Sequence, residues 1–525
     1  MRVVRSLKTL RRIKKLYSTF QNQNRDKTLE EKGNDQLSGF LQEDFLQVKH
    51  YFEGASDFKY RELQINSTYS AMIFYLDGLV GIERIELNVI TPLLKNNNAF
   101  LNNPKPTIET IIEELSSAQV KQGETLQEVI NHILLGDTVL LINGYKQFLF
   151  ISEQAWEKRS IEEPLSEAVV LGPREGFTEN IRTNTSMIRR RLKTTKLKFE
   201  SIQIGNLSQT EVVITYLDGI AQYSIIEEVR SRLNQINIDA IEDSGYIVEL
   251  IEDHPFSVFP QILQTERPDR VVGNLLEGRI GIIVENSPFA LVVPVTFFQM
   301  MSSPEDYYGK FIMATFIRFI RYLFLLIALL FPSIYIAVTT FHQELLPTNL
   351  LFSVAASREK VPFPAVIEAL LMEITFEALR EAGLRLPRPI GSTVSIVGAL
   401  VIGQAAVEAG IVSAPLVIVV STTGIASFMF PSYTLTGAIR LLRFLMIFLS
   451  ATLGFYGILL GVFFILVHLV QLRSFGVPYL APVAPLNFNN LKDVFVRAPW
   501  WRMNERPEQT GKRNLRRLSP RNRKN

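Results

Sequence analysis

Apolar and polar positions change their spacing sharply along this chain. Up to about Tyr308, apolar residues alternate or recur in short β-branched runs separated by turn residues, as in a water-soluble α/β protein. From Phe311 to Leu472 the chain is strongly apolar, in stretches of the length needed to cross a hydrocarbon core of about 30 Å at about 1.5 Å per residue. The expected fold class is an α/β soluble region made of two duplicated subdomains, followed by an all-α polytopic membrane domain.

The duplication is read from the pattern itself. Lys59-Tyr60-Arg61-Glu62-Leu63-Gln64-Ile65 matches Lys198-Phe199-Glu200-Ser201-Ile202-Gln203-Ile204, and each run leads to the same tetrapeptide, Tyr75-Leu76-Asp77-Gly78 and Tyr216-Leu217-Asp218-Gly219. A helix-like stretch follows each copy, at residues 82–94 and 225–233. Two strand-like runs come later in each, at 138–142 with 147–151 and 279–284 with 289–293. The nearly constant offset favours duplication over coincidence. Asp77 and Asp218 are expected to be turn acids that cap the next helix, the alternative being a ligand site at strand ends.

The boundaries that follow are a basic tail at 1–40, subdomain 1 at 41–155, an Arg-rich linker at 156–197 and subdomain 2 at 198–308. A membrane domain at 309–472 and a second basic tail at 473–525 complete the chain. In the linker, Arg189, Arg190 and Arg191 are candidates for a salt-bridged domain or subunit contact. A nucleic-acid surface would need more basic residues with interleaved aromatics, so none is expected.

Four spans are expected, at 319–341, 390–409, 416–430 and 444–472, with Arg318 and Arg321 anchoring the first on the cytoplasmic side. Residues 361–383 read as one interfacial or re-entrant helix, because Glu368, Glu373 and Glu377 would each cost about 2.5–3.5 kcal/mol in lipid. Arg380 is close enough to Glu377 to pair with it. Four spans put both basic ends on one side, but leave Arg440 and Arg443 on the other; a fifth span at the acidic helix would separate the ends. Ser392, Ser395, Gly403, Gln404, Ala406 and Glu408 make the second span small and polar, which suits either a pore lining or close helix packing.

Net charge is only +3, but Lys and Arg crowd both ends, where anionic lipid on the cytoplasmic side is the natural neighbour. The absence of cysteine excludes disulfides and thiolate chemistry. The five histidines are scattered, with no metal-ligand spacing and no nucleotide-binding loop, so no catalytic residue, metal or cofactor is expected and the protein is not read as an enzyme.

The run Pro362-Phe363-Pro364-Ala365-Val366-Ile367-Glu368-Ala369-Leu370-Leu371-Met372-Glu373 resembles the signature of the GerA-type spore germinant receptor A subunit family. Glu377-Ala378-Leu379-Arg380-Glu381-Ala382-Gly383, Gly403-Gln404-Ala405-Ala406, Ser303-Pro304-Glu305-Asp306-Tyr307-Tyr308 and Ala498-Pro499-Trp500-Trp501 extend it over residues 40 to 507. The resemblance implies a multi-pass protein of the spore inner membrane with its amino-terminal region and carboxyl tail cytoplasmic. It also implies action with a transporter-like B subunit and a lipoprotein C subunit, and a homo-oligomeric ring, a pentamer by expectation, around an ion channel. The alternative within the same family is an accessory germination protein similar to stage V sporulation protein AF.

Overall fold

The computed structural model describes residues 36–65, 69–95, 107–117, 119–155, 164, 167, 169–385, 403–511 and 513–517. The chain divides into two compact units: residues 1–157 with 193–195, and residues 158–192 with 196–525.

The first unit opens with α1 (Leu41–Tyr51) and the hairpin β1 (Phe58–Gln64) and β2 (Ser70–Leu76). A helical run with a π turn at Glu86–Ile90 and α2 (Ile108–Glu114) precede β3 (Val120–Gly123). Then come α3 (Leu126–Leu135), β4 (Thr138–Ile142) and β5 (Phe148–Ile151). The sheet is antiparallel throughout, in the order β1-β2-β4-β5-β3. Strand periodicity divides its side chains between two faces. Ala71, Ile73, Leu140 and Ile142 enter one core, whereas Met72, Phe74, Val139 and Leu141 enter the other with α1 and α3. The start of α3 is fixed by a reciprocal capping box between Thr125 and Glu128.

The second unit repeats this plan. After α4 (Ile181–Arg191) come β6 (Leu197–Ile204), β7 (Thr210–Leu217), α5 (Tyr223–Asn234) and α6 (Ser244–Ile251). They are followed by β8 (Leu263–Thr265), α7 (Pro268–Leu276), β9 (Ile280–Val284) and β10 (Ala290–Val293). The strand order, β6-β7-β9-β10-β8, is that of the first sheet with the later numbers, so the duplication read from the sequence is a duplication of topology. The two Asp-Gly turns differ from expectation. Asp218 accepts the N–H of Gly219 at 2.8 Å, and the helices that follow begin at Gly81 and Gln222 without a side-chain cap. These acids therefore belong to the turns and do not cap the helices.

Two further departures concern the boundaries. Residues of the expected linker, Phe177, Ile181, Met187 and Ile188, lie in the hydrophobic core of the second sheet. Residues after Leu472, expected to be a tail, fold back onto that sheet through a two-stranded hairpin, β11 (Arg473–Ser474) and β12 (Val477–Pro478). Tyr479 is fully buried there and donates to the Pro260 carbonyl at 2.8 Å.

The helical region comprises α8 (Phe311–Thr340), α9 (Thr348–Arg358), α10 (Ala365–Arg385), α11 (Ala414–Ser427) and α12 (Tyr433–Gln471). Only α8 and α12 among the described residues are long and apolar enough to cross a membrane, and α11 is a shorter apolar helix. Depth along α8 orders the rest. Arg443 of α12 meets Ala328, Ser413 before α11 meets Tyr335, and Gly454 of α12 lies against Phe341 and His342 at the far end. Each of α10 and α11 runs back toward the sheet, since Glu368 contacts Ser413 while Glu373 and Glu377 contact Arg443 and Arg440. By Gly410 the chain is again at the far end, beside Lys360.

One feature of α12 was hidden by its even apolar composition. Gly454 takes φ 60° and ψ −138°, outside the helical region, and the chain folds back there. Gly457 then abuts the Leu449 carbonyl, Gly461 abuts Met446, and His468 returns to Ser257 beside the sheet at 2.8 Å. The span expected at 444–472 is therefore the end of one helix and the whole of the next. A methyl group on residue 457 would stand 2.0 Å from the Leu449 oxygen. Gly457→Ala is expected to destabilise the protein by about 1–3 kcal/mol, the usual cost of overpacking. A chemical-denaturation midpoint in detergent checks this, and an unchanged midpoint would mean that the hairpin is not closely packed.

Candidate functional site

The acidic helix α10 carries three carboxylates that the helix alone cannot neutralise, and each finds an arginine on another element. Glu377 pairs with Arg440 at 2.5 Å and Glu373 with Arg443 at 2.7 Å, both from α12. Glu368 faces Arg358 of α9 at 3.5 Å and accepts the backbone N–H of Ser413 at 2.9 Å. Glu368, Glu373 and Arg443 are almost fully buried. Arg440 and Arg443, awkward in the four-span reading, are thus the counter-ions of the acidic helix. Arg380 was expected to pair with Glu377; its guanidinium instead lies over the Phe428 ring, 5.3 Å from its centre.

Arg443 has a second task, set by a proline on α8. The carbonyl of Ala328 would normally accept the N–H of residue 332, but that residue is Pro332, which has none. Arg443 Nε donates to this carbonyl at 2.8 Å, while Nη1 holds Glu373. One buried guanidinium thereby joins α8, α10 and α12. Glu368 Oε1, Glu373 Oε1 and Arg443 Nη2 are buried without a hydrogen bond. A buried polar network satisfied only in part is costly, and such networks inside apolar bundles mark places of function more often than of stability.

Of the residues expected to line a pore, Gln404 and Glu408 share an exposed face, and Gln404 donates to Glu408 at 2.9 Å. Ala406 is half-buried and packs on a core formed by α8, α10 and α11, and Gly403 is buried. Ser392 and Ser395 lie outside the described residues.

A second charged cluster joins the sheet to α8. Asp306 takes Arg321 through both oxygens, at 2.7 and 2.9 Å, and Arg318 at 2.9 Å. Arg318 also binds Asp493 at 2.8 Å, and Tyr307 donates to the same carboxylate at 2.8 Å. Arg318 and Arg321, expected to anchor in lipid headgroups, are instead buried by protein. Burial, with Asp493 adding to it, holds the Tyr307 phenol well above its ordinary range, so Tyr307 stays a neutral donor. A cavity of 390 Å³ opens beside this cluster, lined among others by Asn274, Glu277, Gln299, Tyr307 and Trp500. Asp306 was not singled out from the sequence as a site residue. The signal available was two arginines three apart in an apolar helix, a pattern that demands a counter-charge.

The link from sheet to helices is also apolar. One continuous core runs from Val213, Ile283 and Val292 of the second sheet through Phe297, Met300 and Tyr479 to Ala328, Leu435 and Met446 of the helices. The linker arginines serve the same unit. Arg189 is buried over the Phe199 ring and donates to the Leu197 carbonyl at 3.2 Å, while Arg190 and Arg191 face Glu175 at 3.7 and 2.6 Å. Arg190 and Arg191 thus make their ion pairs within this unit. Among the described residues no group of three or more His, Cys, Asp or Glu is gathered as a metal site requires.

Residues 46–509 match the family model of the Bacillus/Clostridium GerA spore germination protein. An uncharacterized membrane protein of Bacillus subtilis, YfkQ, is 46% identical, with 95% of this chain and 98% of that protein aligned. Spore germination protein KA of Bacillus subtilis is 45% identical over 91% of this chain and 88% of its own length. Spore germination protein GerLA of Bacillus cereus is 39% identical over 90% and 96%. The crystal structure of the N-terminal domain of the A subunit of the Bacillus megaterium spore germinant receptor GerK3 aligns with 50% of this chain and 97% of that one. It does so at 34% identity and a TM-score of 0.40. Matched along nearly its whole length to spore germination proteins, the chain belongs to the GerA family.

Proposed function

We propose that this chain is the A subunit of a nutrient germinant receptor in the spore inner membrane. It would convert nutrient binding into the ion release that starts germination. The observation that carries the reading is the alignment of the chain over nine-tenths of its length with spore germination proteins KA and GerLA. In this reading α8, α10, α11 and both halves of α12 cross the bilayer, with α10 shielded by protein on its charged side. The start of α8 and the end of α12 both meet the second sheet, and in this reading that side, with the carboxyl end, is the cytoplasm. The partners are a transporter-like B subunit and a lipoprotein C subunit. Several copies of this chain form a ring around an ion path, with Gln404 and Glu408 turned toward it.

The test is made in spores lacking the gene and complemented with it. Nutrient addition should release monovalent cations with the natural chain, and Gln404→Ala should change the release rate at unchanged protein level. Release kinetics indistinguishable from the natural chain would reduce Gln404 to a packing residue. Release that never depends on the gene would remove the receptor reading.

A second reading is supported by the similarity to YfkQ, whose name carries no receptor role. The chain would then be an accessory germination protein without B and C partners of its own. Co-purification from spores separates the two: stoichiometric recovery of a transporter-like protein and a lipoprotein supports the receptor, and recovery of the chain alone supports the accessory role.

A further inference from the structure

The segment after β12 does more than close the sheet. Residues 493–501 wrap the first turns of α8. Arg318 donates to the Asp493 carbonyl at 2.8 Å, the Arg497 N–H donates to Thr315 at 3.1 Å, and the Trp501 ring meets Phe311 edge-on at 5.9 Å. The outer surface of this collar is aromatic and apolar. Phe488, Trp500 and Trp501 are exposed, and they continue onto α8 through Ile312, Phe316 and Phe319, which are more than half exposed. Arg502, Arg513 and Arg516 are exposed on the same carboxyl-terminal segment, and the sequence beyond adds Arg521, Arg523 and Lys524.

This composition is that of a membrane–water boundary. Indole rings prefer the headgroup level because one edge is polar and the rest is not. Basic side chains nearby gain from the negative surface potential of anionic headgroups. The two arginines on the first turns of α8 do not compete for the lipid, since Asp306 and Asp493 already neutralise them inside the protein. We infer that the exposed face of residues 486–502 is a lipid-binding collar. It seats Trp500 and Trp501 at the headgroup level of an anionic leaflet and sets the depth at which α8 enters the bilayer. This rests on the membrane placement proposed above. A second copy of the chain is the other occupant this face would fit. Lipid is favoured because the patch runs without interruption into the apolar face of α8 and is flanked by cations.

The chain has three tryptophans, Trp156, Trp500 and Trp501, which makes the test direct. The full chain carrying Trp156→Phe is reconstituted in vesicles of phosphatidylcholine and phosphatidylglycerol. The lipids carry bromine either near the acyl carbonyls or near the chain ends. The expected result is loss of indole emission mainly with the shallow bromine, reduced in part by Trp500→Phe and in part by Trp501→Phe. Loss mainly with the deep bromine overturns the collar. So does emission insensitive to both lipids, with iodide quenching showing a water-facing patch and its failure showing one covered by protein. A chain that does not float with the vesicles removes the membrane placement itself, a different failure. If Trp156→Phe does not fold, the natural chain is measured against the same two single variants.

Discussion

Replacing Arg443 by alanine is expected to cost about 3–5 kcal/mol, because Glu373 would remain buried without its counter-ion. The Ala328 carbonyl would lose its donor as well, adding a desolvation cost of about 1–3 kcal/mol. The measurement is the denaturation midpoint of the detergent-solubilised chain. The double variant Arg443→Met with Glu373→Leu separates the two contributions. An apolar pair of similar volume removes the charge penalty, so much of the loss should be recovered. Recovery should stop short of the natural chain, because Pro332 still leaves the Ala328 carbonyl unpaired. Full recovery would mean that the proline-freed carbonyl contributes nothing; a single variant within about 1 kcal/mol of the natural chain would place Arg443 in water rather than in the core.

The second large effect is expected at the junction. Asp306 is the only carboxylate hydrogen-bonded by Arg321 among the described residues, and it shares Arg318 with Asp493. Asp306→Ala should destabilise the protein by about 3–5 kcal/mol, chiefly by stranding Arg321. Asp306→Asn keeps acceptor capacity without the charge and should cost less. Asp306 precedes α8 while its partners lie on α8, so Asp306→Asn should reach the membrane at normal level yet slow the ion release that follows nutrient. Quantitative blotting beside cation release in complemented spores gives both numbers. Normal release would show that the second sheet does not act on the helices through this cluster.

These two sites also show what the sequence could and could not disclose. The repeated Tyr-Leu-Asp-Gly turns, each closing an apolar run at residues 71–76 and 212–217, disclose the duplication that the two sheets display. Glu368, Glu373 and Glu377 of α10 were visible as charges too costly for lipid. The partners of Glu373 and Glu377 were not assignable, because Arg443 and Arg440 lie more than sixty residues away and their register against α10 is set by tertiary packing alone. Arg318 and Arg321 look like headgroup anchors by position, and only the fold brings Asp306 and Asp493 against them. The break at Gly454 left no mark in an apolar run already containing Gly457 and Gly461. The segment after Leu472 has no hydrophobic period, and its order comes from single residues such as Tyr479, Asp493 and Arg497.

The two charged clusters lie along one path. The continuous core carries the second sheet into α8, the Asp306 cluster clamps the start of α8, and Arg443 ties the middle of α8 to the acidic helix. A displacement of the sheet has a packed route to α10, as the proposed transducing role requires.

The most direct test of the account is cation flux across vesicles that hold this chain together with the proposed B and C subunits, before and after nutrient is added. The account predicts flux only after nutrient, abolished when the chain is omitted and altered by Gln404→Ala. Nutrient-triggered flux that is the same without this chain would contradict it.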